Sequence, residues 1–389
     1  MKKLKLILFI VNVFLLLAGC NTTTIRSTQT SPILITDAAT PEELLLDVGI
    51  NIFDPNITDN TREEVSGYTK ILEAEANYMP FKLMETIQSS GNWGVVRVIP
   101  NKQSEMDIWV DGKIIKSDGA VLELDITLND ASNGKWYSKR YKQEISKYAY
   151  DGNSSKREPF QNLYDEIAND MLLYYKKLSP NQIINIRTIS QLQFAKRFSP
   201  EVFNDYIKKD SKGRLIIQRL PAKNDPLLQR IDTIRERDHL FVDTLQDYYA
   251  NFNRQMEEPY LEWRRASYEE GEALREVNSQ ATTRLVGGAL AVLGGILAQG
   301  SSSAISRAAG QVGIIAGGAA VVSGVNKREE AKIHVEALQE ISASLDAEIE
   351  PHTVNLEEST VTLTGTVNEQ YAQWQKVLRE IYLAETGGI

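Results

Sequence analysis

Few side chains in this sequence have the type and spacing that chemistry needs, and the one that stands apart is Cys20, the single cysteine among 389 residues. A lone thiol forms no intramolecular disulfide, so its use lies elsewhere. Of the three histidines, His239, His334 and His352, no two sit at a metal-ligand spacing, and the chain contains neither CxxC nor HExxH. There is no GxSxG, no GxxxxGK[ST] and no GxGxxG following a strand, which removes the nucleophile elbow and the nucleotide loops. Glutamate pairs at 63–64, 257–258, 269–270, 329–330 and 357–358 fall mostly in charge-rich helical stretches. They read as solvated faces or ion pairs, since glycosidic chemistry needs two carboxylates converging across a cleft. No catalytic residue, metal or cofactor is assigned, and the chain reads as a non-enzyme.

The context of Cys20 gives the thiol a use. The chain opens Met1-Lys2-Lys3-Leu4-Lys5 and continues as an apolar run from Leu6 to Leu17, interrupted by Asn12. A charged start followed by a short apolar run is the pattern of a secretory signal peptide, and the run falls short of the roughly 20 residues a spanning helix needs. It ends in Leu17-Ala18-Gly19-Cys20. This ending resembles the lipobox of bacterial lipoproteins at all four positions, over the first twenty residues of the chain. The resemblance implies a signal peptide over 1–20 with Leu17, Ala18 and Gly19 as the signal-peptidase motif, cleavage before Cys20, a diacylated thiol and an acylated new terminus. More than one acyl chain makes such an anchor stable, at about 0.8 kcal/mol per buried methylene. Asn21, rather than Asp, at the next position implies delivery to the outer membrane, facing the periplasm. The competing reading is an ordinary signal peptide with an incidental cysteine. Residues 21–43 include a polar Thr/Ser stretch and read as a flexible tether.

The formal charge of −9 and an isoelectric point near 5.2 lack the basic footprint of nucleic-acid binding. Beyond the leader, the chain is long enough for two or three domains with cores of their own. The expected class is α+β. Residues 44–178 read as a mixed sheet-and-helix domain: a strand over 44–53, a helix over 62–90, a strand over 93–99, a hairpin turning at Ser117-Asp118-Gly119, a strand over 136–143 and a helix over 159–177. The string Tyr78-Met79-Pro80-Phe81, then Trp93-Gly94-Val95-Val96-Arg97-Val98-Ile99-Pro100 and Asp107-Ile108-Trp109-Val110-Asp111-Gly112-Lys113-Ile114, is similar to a group of envelope lipoproteins. The group includes the curli-secretion lipoprotein, penicillin-binding-protein activators, transporter-auxiliary lipoproteins and the amino-terminal domain of the Tol-system propeller protein. The likeness spans about a third of the chain. It implies a partner-binding domain, and fold analogy alone does not establish function.

Residues 179–224, with Pro180, Pro200 and Pro221, read as a connector. Residues 225–349 read as a helical region. Its first part starts at Asn224-Asp225-Pro226 and places Ile231, Ile234, Asp238, Phe241, Leu245, Tyr248, Phe252 and Gln255 on a coiled-coil-like seam, with a kink or break expected at Pro259. The aromatic series Tyr248, Tyr249, Phe252, Tyr260, Trp263 and Tyr268 reads as core in preference to a recognition stripe. From 285 to 325 the chain is apolar and glycine-rich. Gly287, Ala291 and Gly295 repeat every four residues, as do Gly313 and Gly317, and Gly324 closes a similar run; small residues at this spacing let two helices approach closely. A helical hairpin follows, either entering a bilayer, with or without oligomerisation, or buried in protein; a flexible linker is the third reading.

Residues 350–389 read as a β-hairpin and a helix, making with the preceding helix a small αββα unit. Thr360-Val361-Thr362-Leu363-Thr364-Gly365-Thr366-Val367 followed by a helix is similar to part of a BON module, a likeness that implies membrane contact and lacks the family's last strand. The expected partners are the bilayer, through acylated Cys20, and other envelope proteins, with homo-oligomerisation open and nucleic acid excluded. A structural or assembly role follows, and the competing role is a membrane-inserting or pore-forming oligomer built on the glycine hairpin.

Overall fold

The computed structural model describes residues 22–26, 32–36, 40–57, 66–100, 105–150, 158–286, five residues within 337–343, 351–355 and 360–386. The chain is α+β, as its alternation predicts. Its frame is a six-stranded sheet of β1 (Thr22–Arg26), β2 (Val48–Asn51), β3 (Val96–Ile99), β4 (Ile108–Ser117), β5 (Val121–Asp130) and β6 (Lys135–Glu144), in the order β1-β6-β5-β4-β2-β3. Strands β4, β5 and β6 form an antiparallel meander, β2 runs parallel to both β3 and β4, and β1 runs parallel to β6. Along β5, Leu122, Leu124, Ile126 and Leu128 alternate inward, as a sheet with one packed face requires. That face is covered by α1 (Ser66–Ser89) and α2 (Gln161–Tyr175), which contribute Ile71, Met79, Leu83 and Leu163, Ile167, Met171 to the first core.

The structure departs from the sequence reading at four places. The stretch read as a connector holds α3 (Pro180–Phe198), the short α4 (Pro200–Phe203) and a hairpin of β7 (Ile207–Lys209) and β8 (Leu215–Ile217). Pro180 opens a helix here because Ser179 and Gln182 form a capping box around it. The stretch read as a tether is partly docked. Strand β1 extends the sheet, and residues 32–36 are bound by two asparagines. Asn169 Nδ2 donates to the Pro32 carbonyl and its Oδ1 accepts from Leu34 N–H. Asn92 likewise donates to the Leu34 carbonyl and accepts from Thr36 N–H. Each amide satisfies backbone groups as a neighbouring strand would.

The third departure is that the chain does not break at Pro259, which lies inside one continuous helix, α5 (Pro226–Val286). Proline removes one i→i−4 bond, and the turns on both sides are held by buried Met256, Tyr260 and Trp263. The fourth concerns the seam of α5. Its start follows expectation, with Asp225 Oδ1 accepting from Leu227 and Leu228 N–H. Burial then follows Ile231, Ile234, Asp238, Phe241 and Leu245 but continues through Tyr249, Phe252, Met256, Tyr260 and Trp263, leaving Gln255 exposed. A straight helix drifts about 20° per heptad from a 3.5-residue repeat, so the buried stripe is that of a helix on a globular core. Four of the six aromatic residues, Tyr249, Phe252, Tyr260 and Trp263, are buried, so the series is core.

Helix α5 lies along the β3 edge of the sheet. Gln246 Oε1 accepts from Val98 N–H while its Nε2 donates to the Val98 carbonyl, which satisfies an edge that would otherwise stay open. Arg97 pairs with Asp243 through two hydrogen bonds of 2.6 and 2.9 Å. Beyond this contact a second core forms. It joins Val98 and Ile99 of β3 with Leu192 and Phe198 of α3, Ile234 and Leu245 of α5, and Tyr371, Trp374 and Leu378 of α6 (Val367–Thr386). The hairpin of β9 (His352–Asn355) and β10 (Thr360–Leu363) contributes Leu363 to the same core. The C-terminal elements therefore share a core with the first half of α5 instead of packing only among themselves.

Candidate functional site: a buried clasp under the long helix

The residues singled out in the sequence, Leu17, Ala18, Gly19 and Cys20 at one end and Gly287, Ala291, Gly295, Gly313, Gly317 and Gly324 at the other, lie outside the described residues. The structure brings ordered elements to the threshold of both sets: β1 begins at Thr22, and α5 ends at Val286. Among the described residues, no helix is long and apolar enough to cross a membrane, and no group of His, Cys, Asp and Glu could hold a metal ion.

What fixes α5 to the sheet domain is a polar network that the sequence reading missed. Glu75 sits on the apolar stripe of α1, one turn from Ile71 and one from Met79, and is fully buried. Its Oε1 accepts from Ser117 Oγ at 2.5 Å and from the Tyr260 hydroxyl of α5. The same hydroxyl accepts from Arg264 Nη2. Arg264 is also fully buried, and its Nη1 pairs with Glu158 Oε1 at 2.5 Å. Its guanidinium lies over the rings of Tyr260 and Phe160, 4.0 and 4.6 Å from their centroids, and Tyr78 donates to Glu158 Oε2 at 3.1 Å. Cation–π contact and a carboxylate partner are what a desolvated guanidinium requires.

Two close approaches complete the clasp. Gly119, in the β4–β5 turn, has no room for a Cβ, which would lie 2.1 Å from the Arg264 carbonyl oxygen and 2.2 Å from Tyr268 N. The glycine at this turn is thus needed for helix contact. Tyr150 donates to the Gly119 carbonyl at 2.6 Å, and its ring packs on Tyr268.

Burial pushes the Glu75 carboxyl above its ordinary value, with Arg264, Ser117 and Tyr260 pulling it down. For Arg264, burial opposes the charge, but Glu158, Tyr260, Tyr164 and Glu75 together outweigh it and hold the cation. The space between these groups is a cavity of about 20 Å³ lined by Tyr78, Glu158, Pro159, Glu257, Tyr260, Leu261 and Arg264. That admits about one water, whereas small-molecule sites span roughly 300–1,000 Å³. The arrangement holds two elements together and has no space for a substrate. A signal for it exists in the sequence: a Glu midway between Ile71 and Met79 on the stripe that continues through Leu83 and Ile87, and an Arg beside Tyr260 and Trp263.

A second polar cluster lies where β4, α3 and α5 meet. Asp107, 2% exposed, accepts from Asp47 N–H and faces Arg187 and Arg235 at 3.9 and 4.0 Å. Glu105 faces Arg197 at 4.0 Å, and Arg235 donates to Ser190 Oγ at 2.9 Å. His239 is half-buried nearby. Burial first, then Arg97 and Arg235, press its pKa down to about 3.

Compared with known proteins, the chain matches no family model, no curated protein and no solved structure.

Proposed function

We propose that this chain is an envelope lipoprotein, anchored through acylated Cys20 to the outer membrane, facing the periplasm, with a structural or assembly role toward protein partners. The observation that carries the reading is Leu17-Ala18-Gly19-Cys20, separated by one residue, Asn21, from β1, a strand built into the sheet. Acyl chains on Cys20 would join an ordered domain directly, as a scaffold held at a surface requires. The clasp supports the same role. It fixes a 61-residue helix against the sheet domain with its C-terminal end at Val286, next to the glycine-rich segment. A helix clasped to the anchored domain and leading toward a second attachment region suits assembly more than turnover.

Feeding cells a clickable fatty acid tests the anchor: the wild-type chain should label and Cys20→Ala should not, and equal labelling removes lipidation from Cys20. Cross-linking of the lipidated chain in intact envelopes tests the role. One stoichiometric protein partner supports the scaffold, whereas adducts of this chain with itself alone favour the pore-forming reading.

A further inference from the structure

An anchor at Cys20 raises the question of which part of the molecule meets the lipid. We infer that the corner formed by the start of β6 and the end of α2 rests on the phospholipid surface; this rests on the anchor reading.

The path of the chain comes first. Strand β1 runs parallel to β6 with Thr22 opposite Arg140 and Arg26 opposite Glu144. The chain therefore reaches Thr22 from the side of the sheet that carries the start of β6, Lys135 onward. Cys20 is two residues earlier, within about 7 Å even fully extended, so its acyl chains enter a bilayer close to this corner. Helix α2 runs back along β6. Leu163 N–H meets Gln143 Oε1, Asp170 meets Lys139 and Tyr141, and Tyr174 stacks on Trp136 at 4.7 Å. The last turn of α2 is thereby brought beside the start of β6.

The side chains at this corner are those that membrane interfaces select. Tyr137, Tyr174 and Tyr175 are half-buried, while Lys135, Lys176 and Lys177 are exposed. Tyrosines place an apolar ring and a polar tip at headgroup depth, and lysines extend their ammonium groups to phosphate. Leu173 is 49% exposed beside them, and Ile35 is 66% exposed on the segment that Asn169, one helical turn before Leu173, holds in place. Asp130 and Asp170 are engaged by Trp136 Nε1 and by Lys139. Glu42 and Glu43 are exposed on the residues just before Leu44, whose carbonyl accepts from the Tyr175 hydroxyl. Aliphatic side chains, tyrosines and exposed lysines thus surround the point where the anchor leaves the sheet. A phospholipid surface complements all three.

The test uses the full acylated chain in vesicles of phosphatidylethanolamine and phosphatidylglycerol. Lysines are acetylated briefly and read by peptide mass spectrometry, with click labelling of Cys20 on the same sample. Lys116, exposed near the end of β4, and Lys147, exposed three residues past the end of β6, are the internal controls. Lys135, Lys176 and Lys177 should react at least five-fold more slowly with vesicles than in detergent, with the controls unchanged. Lys176→Glu combined with Lys177→Glu should restore the reactivity of Lys135 while leaving Cys20 labelled. Equal reactivity of corner and control lysines on a labelled chain overturns the docking and leaves the anchor standing. Protection seen in native envelopes but not in vesicles assigns the corner to a protein partner and also overturns it. An unlabelled Cys20 overturns the anchor, and the docking with it.

Discussion

The two buried polar clusters of this protein hold similar groups at different distances. In the clasp, Arg264 reaches Glu158 and Tyr260 by direct hydrogen bonds and is flanked by two rings. In the cluster around Asp107, the ion pairs to Arg187, Arg197 and Arg235 span 3.9–4.0 Å, beyond hydrogen-bonding distance. Arg197 Nε and Nη2, Arg235 Nε, His239 Nε2 and Asp107 Oδ1 have no hydrogen-bond partner there, against Arg264 Nε and Glu75 Oε2 in the clasp. A buried charge specifies a geometry when its partners are directional, and charge-assisted hydrogen bonds are the directional ones. The clasp should therefore locate α5, whereas the second cluster tolerates change.

The largest effect should come from Arg264→Met, which leaves Glu158 without its cation. Loss of one partner of a buried pair costs about 3–5 kcal/mol, read as a lower urea midpoint. Gly119→Ala follows, because the new methyl meets helix backbone; overpacking of this kind costs about 1–3 kcal/mol, and proteolysis within α5 should accelerate. Arg235→Met should cost only about 1 kcal/mol, the scale of its hydrogen bond to Ser190. A cost equal to that of Arg264→Met would break the comparison.

Titration sharpens it further. Glu75 has a raised pKa when folded, so its contribution to stability is full below the ordinary value of 4.5 and is lost as pH rises through the raised value. Glu75→Gln should remove that fall from the curve of urea midpoint against pH. His239 behaves oppositely. Its folded pKa of about 3 lies below the ordinary 6.5, so its contribution is present above 6.5 and is lost as pH drops toward 3. In His239→Gln the same curve should be flatter on its acid side, a smaller change since the ring is half-buried. No difference from wild type in either curve would remove that group from the account.

Much of the fold was legible. The alternation of β4, β5 and β6, the turn at Asp118-Gly119, the helices over 66–89 and 161–175 and the C-terminal hairpin and helix all follow from local pattern. The helix at 180–198 is legible too, in Ser179-Pro180-Asn181-Gln182, although its proline falls in a stretch that reads as a connector instead of standing as a first-turn residue. The clasp was legible only as an anomaly, a Glu on one apolar stripe and an Arg beside another. Which carboxylate meets which donor depends on residues 106 and 185 positions apart, as Arg264 with Glu158 and Tyr260 with Glu75 show.

Hydrophobic periodicity, turn residues and caps act within a few residues, so the element types, the α+β class and the placement of glycine at the β4–β5 turn were already written in the chain. The string Leu17-Ala18-Gly19-Cys20, on which the proposed anchor rests, is equally local and is read without reference to any fold. The docking of residues 32–36 on Asn92 and Asn169, the passage of α5 over Gly119 and the pairing of Gln246 with the β3 edge belong to the folded molecule alone. Each satisfies a backbone group or fills a space that exists only once distant segments have packed, and no local pattern encodes a partner that far away.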